Sequence, residues 1–182
     1  RPVPAIQRPG DAESAVRAPL HKRRSAWWLV AAAVALALPG LVIALGDGVY
    51  LGNGTDLYSY QLPMRRLLRS LIAAGQWPTW NPYILGGLPL HGALQHGLAY
   101  PPNWLLLAAP PAQAIGWLMA LHLAWLALGG AVLANVHAAR PPWRTGPGAL
   151  ATAALLAGSG PTWGHIWPGH VSFVAAWAWT PW

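Results

Sequence analysis

The sequence predicts an all-α polytopic membrane protein, and two observations carry that prediction. First, 55% of its 182 residues are hydrophobic and only 8% are charged, whereas an ordinary soluble domain carries about 25% charged residues. Second, uncharged apolar runs of about 20 residues, the length that crosses a hydrocarbon core of about 30 Å, are separated by short charged or turn-rich stretches. The chain has no cysteine, which excludes a disulfide scaffold and thiolate chemistry.

The placement of charge supports the same fold class. Eleven Lys and Arg residues against four Asp and Glu residues give a formal net charge of +7. Six of the basic side chains lie in residues 1–24, directly before an apolar run, and Arg140 and Arg144 follow a later one. Basic residues that flank apolar segments are typical of membrane topology, so we expect no nucleic-acid partner.

The N-terminal part of the chain is predicted to be a tail followed by a membrane-spanning helix. Residues 1–25 are rich in Pro, Arg and Ala without apolar periodicity, which predicts a disordered basic cytoplasmic tail. Residues 26–45 contain no charge and predict transmembrane helix 1. Because Lys22, Arg23 and Arg24 precede it, the N-terminus is expected in the cytoplasm. The alternative is a cleaved signal peptide, but such apolar regions are shorter, about 7 to 15 residues.

Residues 46–101 are predicted to form a long external loop that contains an amphipathic helix. Over about 63–74 the residues follow three- and four-residue spacing, which is the helical pattern. The apolar side of this helix comprises Met64, Leu67, Leu68, Leu71 and Ile72, and the other side largely Arg65, Arg66, Arg69 and Ser70. Such a helix is expected to lie on the membrane surface. A segment dense in Pro, Gly and Trp follows and predicts a turn-rich backbone.

The second half of the chain is predicted to return to the cytoplasm and enter the membrane again. Residues 102–139 predict an outer helix, a break at Pro110–Pro111, and transmembrane helix 2 from about 113 to 136. Residues 140–146 then form a cytoplasmic loop, and 147–182 a third transmembrane helix and the start of a further one. Because the sequence begins at Arg1 and stops within an apolar run, we interpret it as an N-terminal fragment.

Few residues outside the tail can carry chemistry. Asp47 and Asp56 are the two acidic residues beyond residue 24. A carboxylate near a membrane is costly unless it is solvated or paired, so both are candidate catalytic residues, with Asp56 preferred. The alternative is that each occupies a turn or a helix start. His165 and His170 lack the spacing of a helical zinc site, so no metal site is predicted.

The three arginines of the amphipathic helix are candidate phosphate ligands. Arg65, Arg66 and Arg69 offer guanidinium groups, which bind the phosphates of lipid-linked substrates in a bidentate manner. The alternative is that they contact lipid headgroups, as basic residues of an interfacial helix commonly do.

One segment resembles a known family. Residues 77–90, WPTWNPYILGGLPL, are similar to the bacterial YfhO-type membrane proteins, relatives of the GT-C polytopic glycosyltransferases. The surrounding order is similar too: GTDLYSYQLP with Asp56, a basic helix ending in Gly, Gln95 before AYP, and a glycine-histidine pair before AWAWTPW. With gaps, the resemblance covers about residues 50–182.

The resemblance implies an integral membrane glycosyltransferase with several spans in the bacterial cytoplasmic membrane. It would transfer a sugar from a polyprenyl-phosphate carrier to a cell-envelope acceptor on the outer face, in contact with membrane lipid. In GT-C enzymes an acidic residue of the first external loop acts as base or, in some members, as metal ligand, and Asp56 matches it. The resemblance implies no organic cofactor, and it leaves open whether the protein binds a divalent cation. The candidate substrate-binding residues are Arg65, Arg66, Arg69, Trp80, Asn81, Tyr83, Gln95, His165 and His170.

A second hypothesis belongs to another functional class. A noncatalytic membrane protein could transport or scaffold envelope lipids and use the external loop as its binding surface. Asp56 separates the two hypotheses, because an enzyme needs that carboxylate for turnover and a scaffold does not.

Overall fold

The computed structural model describes Ala32 and residues 56–93 and 96–182. The predictions for the basic tail, for transmembrane helix 1 apart from Ala32, and for Asp47 and Gln95 therefore lie outside the described residues.

The described part of the chain is mostly helical. One π-helical turn, Leu57–Gln61, leads directly into α1, Leu62–Ala73. Two short strands and a short helix follow, and a 3-10 turn at Pro101–Trp104 then precedes the second half. The remaining elements are β1 (Trp80–Asn81), β2 (Leu88–Pro89), α2 (Leu90–Ala93), α3 (Leu105–Ala108), α4 (Pro111–His137), α5 (Pro147–Gly158), α6 (Gly160–Ile166) and α7 (Val171–Trp177).

The two strands form a small antiparallel ladder that the all-α prediction did not include. Trp80 pairs with Pro89 and Asn81 with Leu88. The turn between the strands is tight because Gly86 and Gly87 both have positive φ, and an added Cβ at Gly87 would lie 2.3 Å from the Trp80 ring. Gly87 thus allows the Trp80 indole to rest directly on the backbone.

Helix α1 lies between two apolar clusters. Leu62 packs with α4, while Met64 and Leu68 pack with Leu90 and Leu98 on another side. The helix begins with Pro63 in its first turn and ends before Gly75, which has φ +71°. Its buried arc is therefore wider than the single apolar stripe of a surface helix.

This packing corrects the predicted placement of one arginine. Arg65 was expected on the exposed side of the amphipathic helix, but it is only 2% exposed. Arg65 lies on α1 between Leu62 of one cluster and Leu68 of the other, so the side predicted to be polar belongs to the packed part of the helix. The Arg65 guanidinium donates a hydrogen bond to the side-chain oxygen of Gln61, which is also buried.

Helix α4 is the central element of the second half. Among the described residues it is the one helix long and apolar enough to cross a membrane, with 27 residues and a mean hydropathy of 1.8 over its most apolar window. About half of that window, 56%, is buried inside the fold, as in the core helix of a globular protein. That the protein crosses the membrane several times therefore stays a prediction.

The segment predicted as a third transmembrane helix and the start of a further one forms three short helices. Helix α5 ends at Gly158 after 12 residues, which at 1.5 Å per residue is too short to cross a core of about 30 Å. Ser159 is extended, and its hydroxyl accepts a hydrogen bond from the Thr162 amide at the start of α6. Because this hydrogen bond gives a partner to a backbone amide in the first turn of α6, it stabilises the break between α5 and α6.

Helices α4 and α5 pack closely through small side chains. Their contact is a cluster of five alanines that are almost completely buried, namely Ala127, Ala131, Ala149, Ala153 and Ala157. At Gly130 an added Cβ would lie 2.7 Å from the Leu156 side chain. Small residues at four-residue spacing let two helix backbones approach each other, an arrangement frequent in membrane helix pairs.

Asn135 fixes the connection between α4 and α5. Its buried side-chain amide donates hydrogen bonds to the carbonyls of Pro142 and Arg144, at 2.8 and 2.7 Å. The backbone carbonyl of Asn135 also accepts from the Arg140 amide at 2.8 Å. One side chain thus holds the whole loop against the end of α4.

We expect Asn135→Ala to loosen this loop while the helices stay folded. Two hydrogen bonds are lost, each worth about 1 kcal/mol net, and two carbonyls lose their partner. The measurement is the rate of tryptic cleavage after Arg144, which should rise in the variant. Thr152→Ala, which removes an exposed hydroxyl bonded only within α5, is the matched control and should leave the rate unchanged. Equal cleavage of Asn135→Ala and the parent protein would contradict this role.

Candidate active site

The structure brings Asp56 and His170 together from opposite ends of the described chain. Asp56 directly precedes the π-helical turn, and His170 directly precedes α7. The Asp56 Oδ2 atom lies 3.2 Å from His170 Nε2, with the two side chains 61% and 37% exposed. Asp56 is the one acidic residue in the described part of the chain, and its carboxylate faces a histidine at the protein surface.

A second histidine extends this pair. His165 Nδ1 lies 2.8 Å from His170 Nδ1, so the two rings share a hydrogen bond. The His165 ring also stacks on Phe173, with 3.5 Å between the ring centroids. The backbone amide of His170 donates to the carbonyl of His165 at 3.0 Å, which fixes the turn that connects them. We call these three side chains, Asp56, His170 and His165, the acid-histidine cluster.

A glycine contact joins the two halves of the acid-histidine cluster. The Leu57 amide donates to the Pro168 carbonyl at 3.2 Å. Gly169 has φ +86°, and an added Cβ would lie 2.6 Å from Leu57 Cβ and 3.0 Å from the Leu57 amide nitrogen. Only glycine fits this close approach, because it tolerates positive φ and has no side chain. The sequence WPGH thus places His170 beside Asp56.

This arrangement is suited to proton transfer. A carboxylate that accepts a hydrogen bond from an imidazole orients the ring and stabilises its protonated form. Histidine is the side chain that most often accepts and donates protons near neutral pH. The acid-histidine cluster therefore has the groups of a general base, at a position reachable from solvent.

The described residues do not fit a divalent cation. Asp56 is their one carboxylate, and His165 and His170 direct Nδ1 atoms at each other. Within the described residues no group of three or more His, Asp or Glu side chains is arranged to hold a metal ion.

The three arginines of α1, each predicted as a candidate phosphate ligand, have separate environments. Burial disfavours the charged form of Arg65 and lowers its pKa to about 10, while Tyr60 acts in the opposite direction. Half-buried Arg69 donates to the carbonyl of Ala109. Arg66 is exposed and lines a groove of about 450 Å³ together with Tyr60 and Tyr83. Arg66 is thus the arginine of the three that is placed to meet a ligand.

The WNPY segment divides into structural and exposed residues. Asn81 is 2% exposed, and its side-chain oxygen accepts from the Tyr83 amide at 2.9 Å, which stabilises the turn. Tyr83 is 82% exposed at the edge of the Arg66 groove, and Trp80 is half exposed over Gly87. Asn81 therefore acts mainly within the hairpin, while Tyr83 and Trp80 are accessible.

Sequence reasoning missed a hydrogen-bonded chain that joins α4 to the C-terminal segment. Trp179 Nε1 donates to the Tyr100 hydroxyl at 3.0 Å, and that hydroxyl lies 2.8 Å from His122 Nε2. His122 Nδ1 lies 2.7 Å from the Leu118 carbonyl. Every polar atom in this chain has a partner, so it ties α4 to the C-terminal segment. An ionisable residue within the apolar run of α4 was the signal that pointed to it.

Of the predicted site residues, Asp56, His165 and His170 form one cluster, and Arg66 and Tyr83 line a different groove. Gln95 and Asp47 lie outside the described residues. Comparisons with protein-family profiles, with curated proteins and with solved structures find no match to this chain.

Proposed function

We propose that this chain is part of a GT-C-like integral membrane glycosyltransferase of the YfhO type. It transfers a sugar from a polyprenyl-phosphate carrier to a cell-envelope acceptor on the outer face of the bacterial cytoplasmic membrane. The observation that carries the proposal is the contact of Asp56 with His170, which assembles a proton-accepting group around the preferred catalytic residue. The resemblance of residues 77–90 supplies the family and the substrate class.

The chemistry requires a base and a cation. The acceptor hydroxyl must lose its proton as it attacks the sugar, and the acid-histidine cluster can accept that proton. The departing lipid phosphate gains negative charge, which a guanidinium group stabilises. Arg66 is exposed at the groove it shares with Tyr83, which is separate from the acid-histidine cluster, so we assign it to binding of the lipid carrier and not to the reacting phosphate.

The position of the acid-histidine cluster along α4 supports a site on the outer face. Leu57, which follows Asp56, packs with Ile115 and Leu118 in the first half of α4. Arg140 and Arg144 follow the other end of α4 and are exposed. If α4 crosses the membrane, the positive-inside rule assigns the arginine end to the cytoplasm and the end with the acid-histidine cluster to the outside.

One observation favours the noncatalytic alternative. A groove of about 390 Å³ is lined mainly by apolar side chains, including Ile72, Leu98, Trp104 and Leu107. Such a groove is suited to a lipid chain and requires no chemistry. A lipid transporter or scaffold is therefore the second candidate function.

The proposal is tested by sugar transfer in proteoliposomes that contain the full-length protein. Labelled polyprenyl-phosphate sugars are supplied with envelope acceptors, and empty liposomes are the control. We expect label in the acceptor that depends on the protein. Binding of the labelled lipid without any transfer, across all donors tried, would reject the enzyme and favour the transporter or scaffold.

A further inference from the structure

With both imidazoles neutral, the contacts of the acid-histidine cluster determine where each ring hydrogen lies. An ionised carboxylate only accepts hydrogen bonds, so His170 Nε2, which lies 3.2 Å from Asp56 Oδ2, carries a hydrogen. A neutral imidazole has one ring hydrogen. His170 Nδ1 therefore holds a lone pair.

The contact between the two histidines also fixes the position of the ring hydrogen of His165. His170 Nδ1 and His165 Nδ1 are 2.8 Å apart, so one of the two nitrogens donates and the other accepts. Because His170 Nδ1 holds a lone pair, His165 Nδ1 carries the hydrogen. A neutral His165 then has its own lone pair at Nε2, which makes that atom a proton acceptor.

We propose that His165 Nε2 is the atom that removes the proton from the acceptor hydroxyl. His170 and Asp56 are positioning residues, because they act through His165 by setting its tautomer and stabilising its charge. This inference rests on the proposed function and replaces direct proton removal by Asp56. Imidazole is the commonest general base near neutral pH, which favours His165 over the carboxylate for this step.

The step balances as a simple displacement. The acceptor oxygen forms a bond to the anomeric carbon, and its proton moves to His165 Nε2. The bond from the anomeric carbon to the phosphate oxygen breaks, and its electron pair leaves with the polyprenyl phosphate. The positive charge on His165 is stabilised through His170 by the Asp56 carboxylate, until the proton is released to water.

The surroundings of His165 hold its ring in place for this role. The ring stacks on Phe173 with an interplanar angle of 25°, and Phe173 in turn stacks on Trp177. His165 lies in α6, near the turn that Gly169 docks against Leu57. The His165 side chain is half-buried.

The tautomers are measured by NMR on the full-length protein in nanodiscs, with selectively ¹⁵N-labelled histidine at mildly alkaline pH. His165→Gln and His170→Gln assign the signals, and His137→Gln, an exposed histidine at the end of α4, is the matched control. We expect a directly bonded hydrogen at His165 Nδ1 and at His170 Nε2, and none at His165 Nε2. A hydrogen found at His165 Nε2 would overturn the proposal.

Kinetics supply an independent test of the same chain. If Asp56 acts through His165, then His165→Gln combined with Asp56→Asn should slow transfer no more than His165→Gln alone. Losses that multiply in the double variant would show that the two residues act separately and would reject the proposal. Failure of the proposed function has a different signature, which is absence of transfer by the unmodified protein.

Discussion

Asp56→Asn is expected to slow sugar transfer by up to roughly 10²–10⁴-fold, the usual contribution of a general base, because Asp56 positions the proposed base His165 through His170. The amide keeps the size of the side chain but removes the negative charge that orients His170 and stabilises the protonated cluster. Transfer is measured as kcat and KM with labelled polyprenyl-phosphate sugar in proteoliposomes. The loss should fall mainly on kcat, because Asp56 acts on the proton and not on donor binding.

Two controls separate lost chemistry from lost folding. Asp56 is largely exposed, so the substitution should change the free energy of unfolding by about 0.5 kcal/mol or less. His137→Gln removes an exposed histidine at the other end of α4 and should leave transfer unchanged. Full activity of a correctly inserted Asp56→Asn protein would remove Asp56 from the mechanism and direct attention to Asp47.

Gly169→Ala is expected to destabilise the protein and to separate the two halves of the acid-histidine cluster. A non-glycine residue at φ +86° costs about 1–3 kcal/mol in backbone strain alone. The new Cβ would also meet the Leu57 backbone at 3.0 Å, so the turn must move away from the residue that follows Asp56. The thermal unfolding midpoint in detergent should fall by several degrees, and transfer should fall with it because His170 leaves Asp56.

Gly164→Ala is the matched control for this effect. Gly164 lies in α6, five residues away, and an added Cβ there meets nothing within 4 Å. Alanine is favoured over glycine inside a helix by about 1 kcal/mol, so the midpoint should stay equal or rise. An unchanged midpoint and an intact His165–His170 hydrogen bond in Gly169→Ala would contradict the docking of this turn.

Local patterns predicted the helical elements well where neighbouring residues decide the conformation. The spacing over 63–74, with Pro63 at one end and Gly75 at the other, predicts a helix where α1 lies. The uncharged run before Arg140 predicts a helix over about 113–136, and α4 spans Pro111–His137. Both depend on caps, breakers and apolar periodicity, which operate within a few residues of the chain.

The same patterns could not show how α1 is surrounded. Arg65 fits the polar side of an amphipathic helix by spacing, yet two apolar clusters enclose it. The π-helical turn at Leu57–Gln61 has no signal in the sequence that distinguishes it from an α-helical turn. The burial of α1 depends on packing partners that lie far away along the chain, such as Leu90, Leu98 and Ile115.

Composition and local patterns are sufficient to predict the helical class, the ranges of α1 and α4, and the scarcity of carboxylates that makes Asp56 informative. Three features depend on packing between distant segments: Asp56 meets His170, His165 completes the cluster, and Arg66 rather than Arg65 faces a groove. The physical reason is that helix formation follows local hydrogen bonding and periodicity. The site, in contrast, forms where Gly169 lets a distant turn approach Leu57, a contact between residues with no proximity in sequence.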